Sequence, residues 1–231
     1  MRTGIWAIGA GFAWCLFAHD AAVAADAYPQ MAPLAQYQSA GAADEIALAR
    51  SAAPEAVSGN AEILILGKSG YEPAVRGNNG FVCIVERSWG KDFDDPEFWN
   101  PGVRAPICFN AAATRSVLAA YLEKTRWVLA GVSKADMLTR TQAELAANSV
   151  VMPEAGAMCF MMSKQGYLSD RDGHWHPHLM FYVAHMDGAA WGADLKGSPI
   201  YSAAGNPEPI TTFFVPVARW SDGTDATMAM H

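Results

Sequence analysis

Four of the six histidines in this 231-residue chain fall in one stretch, Asp170-Arg171-Asp172-Gly173-His174-Trp175-His176-Pro177-His178-Leu179-Met180-Phe181-Tyr182-Val183-Ala184-His185. Pro177 disfavours helical backbone at His176, so His174 to His178 is expected to be extended, with His174, His176 and His178 turned to one side. Alternate Cα atoms of a strand stand about 7 Å apart, a gap that two leaning imidazoles can close on a metal about 2 Å from each nitrogen. Zinc, copper, nickel or iron would accept such nitrogens, with Asp170, Asp172, Glu86 or water completing the shell. An open coordination position would then polarise a water for hydrolysis. The competing reading is structural: His178 turns inward with Met180 and Tyr182, and the others bond the backbone of the preceding turn. His185 falls on the opposite face with Leu179, Phe181 and Val183 and reads as a strand-end residue.

Two carboxylates are candidates for a base beside such a metal, Glu86 and Asp172. In Phe81-Val82-Cys83-Ile84-Val85-Glu86-Arg87, alternation puts Phe81, Cys83, Val85 and Arg87 on one face and Val82, Ile84 and Glu86 on the other. Charges at a strand exit usually meet solvent, so Glu86 also has a plain structural reading. Between Ser88 and Pro106, Trp89, Phe93, Phe98 and Trp99 alternate with Asp92, Asp94, Asp95 and Glu97. That mixture describes either a platform for a sugar or other polar ligand, or an Ω-like loop whose aromatics fill its own interior, the commoner outcome. Its acids lack the alternation and central glycine of an EF-hand. A soft-ligand alternative lies at the end of the chain, where Met228-Ala229-Met230-His231 would suit Cu(I) in a copper-handling protein. Met158, Met161 and Met162, by contrast, sit where core packing accounts for them.

The elements that would position these groups begin after an export signal. Met1 to about Ala24 carries Arg2, an apolar run from Ile5 to Ala18 and the small-x-small pattern Ala22-Val23-Ala24, which together read as a cleavable signal peptide. No later run is long and apolar enough to span a membrane. The net charge of −7 is unchanged by removal of Arg2 and Asp20, and an acidic chain without a basic cluster has no footprint for nucleic acid or anionic lipid. Periplasmic or secreted localisation is expected. Export removes Cys15 and leaves Cys83, Cys108 and Cys159, two of which should pair in an oxidising compartment. Composition leaves three pairings open. Cys83 with Cys108 closes the shortest loop, and Cys159, inside the apolar run Ala157 to Met162, reads as a buried inert thiol if it is the one left over.

Residues 25–43 lack apolar periodicity and read as a flexible leader, with a single domain over 44–231. Asp44 to Ser51 has acids first and Arg50 near its end, a short helix with its dipole complemented. Apolar runs at 61–67, 71–76 and 81–87 read as strands, with Gly77-Asn78-Asn79-Gly80 as a turn and antiparallel pairing of these neighbours. Asn110 is a plausible N-cap for a helix ending at Gly131, and Ser133 for a second one ending near Asn148. Further strands are expected at 157–162, 178–185 and 211–217. Helices and strands do not alternate regularly, so the fold class is α+β, a mostly antiparallel sheet with helices packed on one face. There is no glycine-rich phosphate loop, G-x-S-x-G elbow or H-E-x-x-H.

Taken together, Gly80-Phe81-Val82-Cys83-Ile84-Val85-Glu86-Arg87, Ala105-Pro106-Ile107-Cys108-Phe109, Gly156 to Ser163 and His174-Trp175-His176-Pro177-His178-Leu179-Met180-Phe181 resemble segments of uncharacterised exported bacterial proteins. The resemblance implies export and a shared fold, and it brings no activity with it. Two functions are therefore expected as alternatives. One is an exported domain binding a small-molecule or envelope ligand, with a divalent metal, zinc or copper, as candidate cofactor at His174, His176 and His178. The other is a metal-assisted hydrolase of an envelope component with Glu86 or Asp172 as base.

Overall fold

The computed structural model describes residues 27–173 and 176–226. The signal-peptide reading, His174 and the Met228–His231 tail fall outside those bounds. Eight strands form one sheet in the order β2-β1-β3-β4-β5-β6-β8-β7. They are β1 (Glu62–Leu66), β2 (Tyr71–Val75), β3 (Val82–Glu86), β4 (Ala105–Phe109), β5 (Met158–Met161), β6 (His178–Ala184), β7 (Tyr201–Ala204) and β8 (Ile210–Pro216). Every pairing is antiparallel except that of β1 with β3. The class is α+β, as the sequence predicts.

The parallel pair corrects one expectation. Residues 77–80 do not close a hairpin between β2 and β3; they cross the start of β1 and deliver β3 to its other side. Gly77 is what permits the crossing, because a Cβ there would lie 2.1 Å from the Glu62 nitrogen. Asn78 N–H donates to Asn60 O at 3.0 Å and the Asn79 amide to Val57 O at 2.7 Å, anchoring the crossing chain. Strand β4 has no clear signature in the sequence, since it is five residues long and contains Pro106. Arg104 and Tyr167 exchange backbone hydrogen bonds, so alternation turns the missing Pro106 donor toward the β5 side. There the β4–β5 ladder is confined to Cys108 and Phe109.

Helices α1 (Ala42–Arg50) and α2 (Glu55–Ser58) precede the sheet in sequence; α3 (Ala111–Ala113) runs through a π turn, Thr114–Leu118, into α4 (Ala119–Leu129), and α5 (Lys134–Ala146) follows. The caps are those the sequence indicates: Asn110 accepts from Ala113 N–H, Ser133 from Asp136 N–H, and Gly131 stops α4 at φ +75°. Alternation along the strands divides the core in two. Val82, Ile84, Ile107, Phe109, Met180 and Tyr182 join Leu118, Tyr121, Val128 and Met137 of the long helices on one face. Ile63, Cys83, Val85 and Cys108 pack against Ala49, Ala52 and Ala53 around α1 on the other.

Two irregular stretches complete the long-helix side. The aromatics of the 88–104 loop point inward: Phe98 packs edge-on to Trp99 with centroids 4.6 Å apart, and the Trp89 indole donates to Thr125 Oγ1 at 2.9 Å. This is the self-filled loop rather than an exposed platform. Within the stretch read as a flexible leader, Tyr37 is fully buried, donates to Trp99 O at 2.7 Å and packs 5.1 Å from Trp89. Arg104 holds the carbonyls of Gln36 and Gln38 on either side of it. One aromatic inside the core and two backbone contacts are enough to dock a segment without periodicity.

Candidate functional site

A cleft of about 410 Å³ lies between α4 and the β6–β8–β7 end of the sheet. Its floor is Met180 and Tyr182 of β6 with Thr212 and Phe214 of β8; its opposite wall is Val117 of the π turn with Ala120, Tyr121 and Lys124 of α4. The loop after β3 contributes Gly90, Lys91, Asp92 and Asp95, the β7–β8 turn contributes Glu208, and Val150 and Val151 form an apolar lip. Asn206 in that turn reaches Asp94 at 3.3 Å, joining turn and loop at one end of the cleft. Volume, mixed lining and location correspond to a small-molecule site.

Glu86 enters this cleft from the end of β3. It continues the face of Val82 and Ile84, as alternation predicts, and so projects toward α4 instead of solvent. Burial in these apolar surroundings raises its carboxyl to about 7, with Lys124 pulling the other way. No side chain or backbone donor among the described residues hydrogen-bonds that carboxylate. Lys124 lies seven residues after Val117 and three after Tyr121, on one helical face. Its ammonium sits 4.3 Å from the Phe93 ring centroid and donates to Lys91 O at 3.4 Å. Burial lowers its pKa, opposed by Glu208, Asp92 and Glu86. Burial likewise raises Asp92.

Around the carboxylate the hydroxyls are already engaged. Tyr121 OH accepts from Arg87 N–H at 2.8 Å and lies 3.1 Å from Tyr71 OH, which donates to Val85 O. Tyr182 OH is 3.1 Å from Cys159 Sγ. Burial pushes both cleft tyrosines and the Cys159 thiol well up, so all three are neutral and unreactive near neutrality. Cys159 is the buried free thiol; Cys83 and Cys108 are bonded to each other, directly opposite in the β3–β4 ladder.

The histidine ribbon has a different character. His178 is 2% exposed, on the β6 face shared with Met180 and Tyr182, its ring 5.9 Å from that of Phe214. Its Nδ1 donates to His176 O at 2.7 Å, and burial lowers its pKa to about 4. The ring is thus a neutral core imidazole. Asp172 is exposed and tied to its own turn: it accepts from Arg171 at 2.9 Å and Ser169 Oγ at 3.0 Å. Among the described residues, no group of three or more His, Cys, Asp or Glu is placed to hold a metal.

Of the site residues named from sequence, Glu86 lies in the cleft with Asp92 and Asp95 of the aromatic and acidic loop, whereas His176, His178 and Asp172 do not line it. Lys124, Tyr121 and Glu208 were not singled out as site residues. The spacing of Tyr121 and Lys124 on one helical face is the signal that could have found two of them. No family model, curated protein or solved structure matches the chain.

Proposed function

We propose that this is an exported domain that binds a small ligand in the cleft between α4 and the β6–β8–β7 end of the sheet. The observation that carries the reading is the cleft itself, one apolar floor with Glu86 and Lys124 brought to one end of it. Export is supported by the signal-like pattern at 1–24 and by the Cys83–Cys108 pair; no helix among the described residues is long and apolar enough to cross a membrane. Support falls on the cleft rather than the histidine ribbon because the His178 ring faces the core. The test is a thermal-shift and mass-spectrometric screen of periplasmic or envelope small molecules against the wild-type protein and Ala120→Trp, which fills the cleft from an exposed helix position. Ligands that stabilise both proteins equally would place binding elsewhere.

A second reading, hydrolysis of an envelope component, is favoured by one observation. A carboxyl near 7 is suited to giving and taking protons at neutral pH. Turnover that disappears in Glu86→Gln would select it over simple binding.

A further inference from the structure

The charges lining the cleft do not balance. Four carboxylates, Glu86, Asp92, Asp95 and Glu208, face two lysines, Lys91 and Lys124. Lys91 is taken by Asp95 at 3.5 Å. Lys124 is shared among three acids, Glu208, Asp92 and Glu86, and covered by the Phe93 ring. Glu86 accepts no hydrogen bond from the described residues and borders the apolar lining of Val117, Met180, Tyr182 and Phe214. An anionic ligand would meet a lysine whose charge is already answered and three further acids. A neutral ligand would leave Lys124 alone to answer Glu86, Asp92 and Glu208. A cation with an apolar body satisfies both halves of the cleft.

We propose, building on the ligand-binding reading above, that the occupant is a small organic amine whose ammonium seats against Glu86 and whose hydrocarbon part lies on Met180 and Phe214. Binding then displaces a proton. The groups facing Glu86 are Lys124 and Tyr121 from α4, Tyr71 from β2, Cys159 from β5, Tyr182 from β6, and the Asp92 and Glu208 carboxylates of the two loops. The tyrosines and the thiol stay neutral through pH 8, burial holding each up. Below about 7 Glu86 is protonated, and an ammonium arriving there must expel that proton; above it the carboxylate is ready. Affinity for the amine therefore rises with pH and levels off past neutrality, while an aliphatic ammonium itself stays charged throughout.

The test is calorimetric titration of the protein with n-hexylamine, hexan-1-ol and hexanoate between pH 5 and 8, in two buffers of different ionisation enthalpy. Hexylamine is expected to bind at least about tenfold more tightly than hexanol at pH 8, with hexanoate weakest. Its affinity should fall about tenfold per pH unit below 7, with up to one proton released. Glu86→Gln should abolish proton release and reduce hexylamine to the level of hexanol. Hexanol or hexanoate binding as tightly as hexylamine, and lost in Ala120→Trp, overturns the amine assignment and leaves the cleft reading standing. Hexylamine binding that survives Glu86→Gln or Ala120→Trp, or no binding by any of the three, also overturns it.

Discussion

Glu86 and Arg87 are neighbours in sequence and occupy opposite faces of the sheet. The carboxylate lies in the cleft under α4. The guanidinium, 1% exposed, lies on the α1 side, where Nη2 donates to both oxygens of Glu45 at 2.8 Å and Nε to Tyr37 O at 2.6 Å. The acid of one helix thus neutralises the buried base, while the Glu86 carboxyl faces Lys124.

Breaking the Arg87–Glu45 pair from one side strands a buried charge. Glu45→Ala is expected to lower unfolding stability by about 3–5 kcal/mol, and the double replacement Glu45→Leu with Arg87→Met by much less. Urea unfolding of the three proteins checks this. Equal losses in single and double variants would mean that the pair is not the source.

Glu86 works against stability at high pH. Its carboxyl is raised to about 7 in the folded chain, so the contribution of the protonated form is full below about 4.5 and is lost as pH rises through 7. Glu86→Gln removes that dependence and is expected to be more stable than wild type at pH 8 by roughly 1–3 kcal/mol. Unfolding curves at pH 5 and 8 decide it; a variant less stable at pH 8 would contradict a desolvated carboxylate.

His178 has the opposite sign. Burial depresses its folded pKa to about 4, against the His176 carbonyl bond, which raises it. Its stabilising contribution is present above 6.5 and is lost as pH falls through 4, amounting to about 2–3 kcal/mol. Nitrogen-15 spectra of the imidazoles should show His178 neutral at pH 5.5 with the proton on Nδ1. A ring titrating near 6.5 would place it in water.

The cross-strand disulfide closes a separation of 25 residues, so Cys83→Ala with Cys108→Ala should cost about 3 kcal/mol in the chain-entropy picture. Cys159 is buried and its thiol pushed up. In the chain lacking residues 1–24, Ellman's reagent should therefore find no reactive thiol in the native protein and one in urea. Rapid native labelling would show that β5 opens.

Much of this molecule is legible along the chain because local rules decide it. Helix caps at Asn110 and Ser133, the stop at Gly131 and the alternation that separates Glu86 from Arg87 all follow from contacts within a few residues or from the period of a strand. The disulfide partners were narrowed by loop length and settled by register. What lay beyond the sequence depends on residues far apart: Glu45 is a helix-dipole acid until β3 brings Arg87 to it, and Tyr37 is a leader residue until Trp89 and Trp99 surround it. The cleft is the clearest case. No local pattern says that α4 and strands β6, β8 and β7 will enclose a cleft, and only that packing turns an ordinary strand-end glutamate into an acid with a raised carboxyl at its lining.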